Sequence, residues 1–598
     1  MWVLGITDGI SSGAAVVRDG IIVAAVNEER LSRLKMAYGF PRLSIRECLR
    51  LAEIEPSDID VVTVATVNNY LQDELTSWEG WFDQDKGYIR NAVFGAVSKF
   101  GGLADRMPIL EALYYKARWP IFAARRRGIR RIMAHEFGMR APVRFINHHL
   151  AHATSAFYTS GFDRATVVTL DGGGDGDSSH IYLAKDNRLR MITRTSAFNS
   201  IGNYYAYVTH VCGYKAQKHE GKITGLAAHG KPVYLGLLND MICFEHGRII
   251  NRAGVVFAGA LKELRRRLPA GWTKEDLSAS IQLHCERLSV AYAKHHLQPE
   301  GAGNVALAGG VFANVRINQE IHEMPGVKQT FVHPGMTDGG LSVGAALALC
   351  MDDGQSAPMP RMTCVLPDVY LGAGYTNDEI RQAIDDAGLE AERPDCIEAE
   401  IAHLLATGHV VARFDGKMEY GPRALGNRTI MYQPADRSVN DWLNHNLKRT
   451  EFMPFAPATM IERTSKCYLR SEGAVDSARF MTITFQCTDW MKKTCPGVVH
   501  LDGTARPQLV DKNENPGFYR IIEEFEKITG IPSIINTSFN MHEEPIVCSP
   551  ADAIRAFQLG HLDYLVLGNY LIKSPHPLTH DLVPMPGMAK KNAAPVRT

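Results

Sequence analysis

Three times along this chain a short apolar strand runs into a turn of small residues, and that recurrence limits the available folds more than any other feature. The first strand, Trp2–Ile6, ends in a Gly/Ser turn. A second strand at Ala14–Arg18, an Asp19-Gly20 hairpin signal and a third strand at Ile21–Val26 follow it. The plan recurs at Ala165–Leu170, a β-branched strand ending in Asp171-Gly-Gly-Gly-Asp175-Gly-Asp177 and resuming at His180–Ala184. It recurs again as strand–Gly–Gly–helix over Asn304–Asn314. Small residues at such turns let backbone amides approach an anion closely, since no Cβ intervenes.

Repeated units of this kind facing one cleft are how actin-like ATPase folds hold nucleotide phosphates, so the first part of the chain is expected to be α/β. At 598 residues the chain exceeds what one core serves, about 250–300 residues. The polar, Pro-bearing stretch 351–366 suits a junction, giving a first domain over 1–355 and a second over 367–573. The second reads as compact α/β, with strands His409–Phe414, Phe480–Gln486, Val498–Leu501, Ser533–Asn536 and Tyr564–Leu567 and helices Pro516–Thr529 and Pro550–Leu559. Ser549, Pro550 and Asp552 give the last helix its cap, and Thr273 with Asp276 starts a supporting helix bearing Ile281, Cys285, Leu288 and Tyr292. The Pro-rich tail, 574–598, is expected to be flexible. Residues 73–140 read as a helical insertion whose arginines, Arg125, Arg126, Arg127, Arg130 and Arg131, form a solvated face or, alternatively, an acceptor- or lipid-binding one.

Lys plus Arg equals Asp plus Glu, 65 each, so no global field draws the protein to nucleic acid or an anionic membrane. No stretch has the apolar length of a membrane span, and the N-terminus lacks a signal-peptide pattern. The eleven cysteines include no CxxC pair and read as reduced thiols, which places the protein in the cytoplasm.

Asn147-His-His-Leu-Ala-His152 opens a predicted helix that puts His148 and His152 on one face, able to hold one divalent cation. Asp171, at the end of a buried strand, and Asp338, on the Gly-rich turn His333–Gly340, add carboxylates that are costly to bury without a cation. Two His and two Asp suit iron, manganese or zinc, and spacing does not choose among them. His149 lies off that face and reads as a packing or hydrogen-bonding residue.

A second constellation begins at Gly416–Ile430, where Arg423 and Arg428 stand among small residues. Lys448 and Arg449 follow, then Thr504 and Arg506 in His500–Gln508, and Asn536 and Ser538 in Asn536–Asn540. Many cationic and hydroxyl donors with few candidate bases suit phosphate and nucleotide chemistry done by positioning and charge neutralisation.

These runs, with Glu28-Glu-Arg-Leu-Ser-Arg33, Lys222-Ile-Thr-Gly-Leu-Ala-Ala228, Gly309–Asn314 and Glu419-Tyr-Gly-Pro-Arg-Ala-Leu-Gly-Asn-Arg428, extend over roughly residues 1–573. Jointly the chain resembles the O-carbamoyltransferase family of the tobramycin and nodulation-factor type. The resemblance implies an actin-like N-terminal domain, akin to the threonylcarbamoyl-transfer proteins, and a YrdC-like C-terminal domain. It implies that the second domain makes carbamoyl adenylate from carbamoyl phosphate and ATP with Mg2+, and that the first transfers the carbamoyl group to a hydroxyl of a small acceptor, such as an antibiotic or a sugar. It implies iron(II) on His148, His152, Asp171 and Asp338, and a nucleotide cradle at Gly172, Gly173, Lys222, Gly309, Gly310 and Asn314. In the second site it implies Arg423, Arg428, Arg449, Arg506, Thr504 and Asn536. A homodimer is expected on the same ground.

Two departures stand out. The family's first-loop His-Asp-(Ala/Ser)-Ser run reads Ile10-Ser-Ser-Gly13 here, and the usual Arg before Pro-Phe-Ala-Pro is Met453. Two other functions compete. A tRNA-modifying carbamoyl transfer is disfavoured by zero net charge. A nucleotide-binding regulator would need neither the histidines nor the arginine set.

Overall fold

The computed structural model describes residues 1–83, 108–352, 359–361, 365–447, 455–576 and 583–585. By internal contacts the chain divides into two units, Met1–Leu366 and Pro367–Thr598.

The first unit holds two five-stranded sheets. One is built from β1 (Trp2–Thr7), β2 (Gly13–Arg18), β3 (Ile21–Asn27), β4 (Val61–Ala65) and β5 (Val143–Ile146), in the order β3-β2-β1-β4-β5. The other contains β6 (Arg164–Gly174), β7 (Asp177–Lys185), β8 (Arg188–Ser196), β9 (Asn304–Ala308) and β10 (Gln329–Val332), in the order β8-β7-β6-β9-β10. In each sheet the first three strands form an antiparallel meander and the last two add in parallel. This duplicated order is the actin-like fold. Registers align the copies: Ile6 faces Val64 across β1 and β4, and Thr169 faces Ala308 across β6 and β9. Asp8 and Asp171, each two residues farther along, therefore occupy equivalent positions.

A helix follows the last strand of each sheet, α2 (His148–Thr159) after β5 and α3 (Leu341–Leu347) after β10. Their small residues allow backbone contact. A Cβ on Gly344 would stand 1.8 Å from the Ala151 carbonyl oxygen, and one on Gly5 would stand 2.0 Å from that of Ser342. The Thr154 hydroxyl donates to the Gly344 carbonyl at 2.7 Å.

The 73–140 segment contains α1 (Pro108–Glu136), and residues 84–107 lie outside the described ones. Its arginines do not form one solvated face. Arg127, Arg130 and Arg131 are exposed, but Arg125 is buried. Arg125 shares a stripe with buried Phe122, Ile129 and Ile132, so helical periodicity turns it inward. The reading of these five arginines as a solvated surface is corrected accordingly.

The second unit holds a seven-stranded mixed sheet. Its strands are β11 (Val411–Phe414), β12 (Arg428–Tyr432), β13 (Ala456–Met460), β14 (Gln508–Val510), β15 (Ser533–Ser538), β16 (Tyr564–Leu567) and β17 (Tyr570–Lys573), in the order β14-β13-β15-β12-β11-β16-β17. Helices Pro516–Thr529 and Pro550–Leu559 fall where expected, Asn515 and Ser549 each accepting from an N–H of the first turn. The expected strand Phe480–Gln486 is mostly irregular. Met481 sits at φ 56° and only Phe485–Cys487 pairs. The expected strand Val498–Leu501 is absent: a 3-10 turn covers Pro496–Val498, and Leu501 is exposed.

Among the described residues no helix is long and apolar enough to cross a membrane. The tail from Ser574 falls largely outside those residues.

Candidate metal centre and activation site

Asn147 caps α2, its side chain accepting from the Leu150 N–H at 3.0 Å. One turn apart on that helix, His148 and His152 present Nε2 atoms to Asp171 Oδ2 at 2.9 and 3.3 Å and to Asp338 Oδ1 at 3.7 and 3.5 Å. One ligand atom from each residue lies within 4.8 Å of all the others. Two imidazole nitrogens and two carboxylate oxygens at this spacing fit a borderline or hard divalent cation. His149 points elsewhere and both its ring nitrogens are bonded, Nδ1 to the Thr169 hydroxyl and Nε2 to the Asp177 carbonyl, each at 2.9 Å.

Several supports were not singled out in the sequence. A Cβ on Gly174 would stand 2.2 Å from the His148 ring, so this glycine leaves the room in which that imidazole lies. Asp175 accepts N–H bonds from Val67, Asn68 and His148 at 3.0, 2.6 and 2.8 Å, tying the turn after β4 to the start of α2. The Thr66 hydroxyl lies 3.1 Å from His148 Nδ1.

Of the residues expected in a nucleotide cradle, Gly172 and Gly310 lie against the same aspartate. Gly172 N–H bonds Asp171 Oδ1 at 2.6 Å, a Cβ on Gly310 would approach that oxygen to 2.9 Å, and Gly309 lies against Leu170. Gly173 lies beside Ala197. Asn314 and Gln282 exchange two hydrogen bonds, and Gln282 accepts from the Tyr205 hydroxyl, which also meets Thr224. Lys222, on that Thr224 segment, stands 5.9 Å from the Tyr214 ring centre.

In the second unit a buried carboxylate shapes the Gly-Pro-Arg-Ala-Leu-Gly loop. Glu419 Oε1 accepts from the N–H groups of Leu425, Asn427 and Arg428 at 2.9, 2.8 and 3.0 Å. Arg423 rides on this loop, half-buried. Asn536 donates to the Ala424 carbonyl at 3.1 Å and to Gln508 at 2.7 Å, bringing the loop, the Arg506 segment and β15 together. Thr504 is buried and bonds Asp502 at 2.7 Å and His500 at 3.0 Å.

Arg428 is fully buried. Its two terminal nitrogens bond the carbonyls of Asp415, Asn427, Gly416 and Ala373, and its guanidinium lies 3.6 Å from the Phe414 ring centre. Burial pulls its pKa down to about 10. These contacts spend the side chain on the loop backbone, so Arg428 does not converge with Arg423 on an anion in this arrangement. Arg449, Lys448 and Met453 lie outside the described residues.

A carbamoyltransferase N-terminus family model matches residues 3–347 and a carbamoyltransferase C-terminus model matches 402–574. The chain belongs to the carbamoyltransferase family. Nodulation protein NolNO of Sinorhizobium fredii is 33% identical over 574 residues, covering 94% of this chain and 78% of that protein. An uncharacterized protein of Methanocaldococcus jannaschii is 30% identical over 587 residues, covering 95% and 99%. Nodulation protein U of S. fredii is 29% identical over 447 residues, covering 69% and 76%.

Charge balance in this carbamoyltransferase makes the cluster pH-sensitive. Burial pulls the His148 imidazolium down, but the carboxylates of Asp338 and Asp171 outweigh it and raise its pKa to about 9. Burial likewise opposes the Asp171 carboxylate, and the two imidazoles outweigh it, holding the group well below the usual range. The His148 contribution to stability is thus full below its unfolded value, ~6.5, and is lost as pH rises through its folded value. The Asp171 contribution is present above ~3.9 and lost in acid. A bound cation replaces the protons. The melting temperature of the metal-free carbamoyltransferase is expected to fall between about pH 6.5 and 9 and to level above that, and that of the zinc-loaded form to stay level, as calorimetry would check.

Gly174→Ala places a methyl in the His148 ring and is expected to weaken zinc binding about 10–100-fold, the usual range for disturbing a ligand's support. A titration against a fluorescent chelator reads this directly.

Proposed function

We propose that this carbamoyltransferase forms carbamoyl adenylate in its second unit and passes the carbamoyl group, in its first, to a hydroxyl of a small-molecule acceptor. The observation supporting this most is the division of chemistry between the units. Four convergent side chains able to hold a metal ion lie in one, and an arginine-bearing loop locked by Glu419 lies in the other.

In the second unit carbamoyl phosphate, MgATP and water give carbamoyl adenylate, phosphate and pyrophosphate. Arg423, Arg449 and Arg506 neutralise the phosphates and hold the reacting groups in line. Arg428 and Asn536 keep the loop and β15 in the shape this requires, and Thr504 fixes the turn carrying Arg506.

In the first unit the acceptor oxygen attacks the carbamoyl carbon, the bond from that carbon to the phosphate oxygen breaks, and AMP leaves with the electron pair as the hydroxyl proton is released. His148, His152, Asp171 and Asp338 would hold a divalent cation, iron(II) by family resemblance, which supplies charge neutralisation at the adenylate phosphate. Gly172, Gly173, Gly309 and Gly310 leave room for that phosphate, and Lys222 and Asn314 contact the nucleotide.

The test is pyrophosphate release from ATP, carbamoyl phosphate, magnesium and iron(II) without acceptor. Release is expected to require carbamoyl phosphate, to vanish in Arg506→Ala and to persist in His148→Ala. Absence of carbamoyl-phosphate-dependent release would sink the adenylate route.

A further inference from the structure

Thr66 closes the turn after β4, and its backbone lies in the left-handed region at φ 67°. A β-branched residue is strained there. The equivalent turn after β9 uses glycine, with Gly309 at φ 114° and Gly310 following. The strain at Thr66 is held by contacts from a distant helix. From α1, Arg125 donates to the Thr66 carbonyl at 2.7 Å and the Ala65 carbonyl at 3.1 Å. The same guanidinium grips Asp8 with two bonds of 2.9 and 2.5 Å, the side chains being 0% and 1% exposed. Arg125 thus meets Asp8 where the two histidines meet its register equivalent, Asp171.

The hydroxyl thus held lies 3.1 Å from His148 Nδ1. His152 Nδ1, by contrast, is buried with no hydrogen-bond partner among the described residues. Of the two ring nitrogens turned away from the carboxylates, only the one on His148 has a hydrogen-bond partner among the described residues.

We propose that Asp8, Arg125 and Thr66 are positioning residues for the metal centre. Thr66 Oγ1 accepts the His148 Nδ1–H, which fixes the tautomer whose Nε2 lone pair points at the ligand cluster. The Asp8–Arg125 pair stabilises the backbone conformation that puts the hydroxyl there. Glycine would take the same conformation without strain but offers no acceptor, and valine has the shape without the oxygen. The inference rests on reading His148, His152, Asp171 and Asp338 as metal ligands.

The test is Co(II) titration of the metal-stripped, full-length protein, read by its visible absorption bands and by cobalt retained after gel filtration. Wild type is expected to retain cobalt, and His152→Ala to lose it. Thr66→Ser is expected to keep the wild-type affinity and spectrum. Thr66→Val and Thr66→Gly are expected to bind about 10–100-fold more weakly, with displaced bands. Thr66→Gly should do so while melting no lower than wild type, because its strain is relieved, and it decides the matter alone if Thr66→Val does not fold. Wild-type affinity and spectrum in Thr66→Gly, with His152→Ala inactive in binding, would overturn the positioning role alone. Wild type that retains no cobalt, or His152→Ala that binds normally, would overturn the metal-centre reading and this inference with it.

Discussion

Replacing Asp171 with asparagine is expected to lower carbamoyl transfer to acceptor about a thousandfold, equivalent to some 4 kcal/mol at the transition state. Acceptor-free pyrophosphate release should be unchanged. The expectation follows from the number of roles one carboxylate has. Asp171 Oδ2 meets both imidazoles, and Oδ1 takes the Gly172 N–H and stands beside Gly310. Asparagine keeps the shape but loses the charge that opposes the cation and holds the imidazolium form of His148. Single-turnover transfer from pre-formed adenylate, beside the pyrophosphate assay, separates the steps. Equal losses in both would mean that Asp171 acts on folding and not on transfer.

The second large effect is expected at Glu419. Glu419→Ala leaves three buried N–H groups without an acceptor, at about 1–3 kcal/mol each, so a loss of roughly 4 kcal/mol is expected. The loop bearing Arg423 then loses its shape and pyrophosphate release is abolished. Glu419→Gln retains an acceptor oxygen and should lose less than half as much stability. Denaturant melts of the two variants check the order, and a wild-type melt for Glu419→Ala would show that the loop is held by other contacts.

The sequence was most legible where local chemistry and tertiary structure agree. Helix Pro516–Thr529 has an Asn cap, an early proline and Gly530 in the left-handed conformation after its end, all local signals. The His148–His152 spacing needed only helix geometry to place both imidazoles on one face, and it took Asp171 and Asp338 to read them as candidate ligands. Strand β12 was hidden for the opposite reason. Buried along its whole length and opening on Arg428, it shows none of the alternation that marks a half-exposed strand. Glu419 and Arg428 went unassigned, or were assigned to an anion, because sequence shows their charges and not the amides and carbonyls that claim them. Gly174 and Thr66 were missed because steric room for a ring, and a positive φ tolerated by a threonine, appear only when segments far apart in sequence meet.

The aligned registers of β1–β4 and β6–β9 also carry history. If the two sheets descend from one ancestral half, Asp8 and Asp171 are copies of a single residue, and α2 and α3 are copies of a single helix. Yet one copy now contributes only imidazoles to the cluster and the other only carboxylates. A symmetric pair of ancestral halves would have offered the same ligands twice, so the four-residue centre arose by divergence after duplication. At Asp8 the chain took the other course, answering the inherited carboxylate with an arginine of its own.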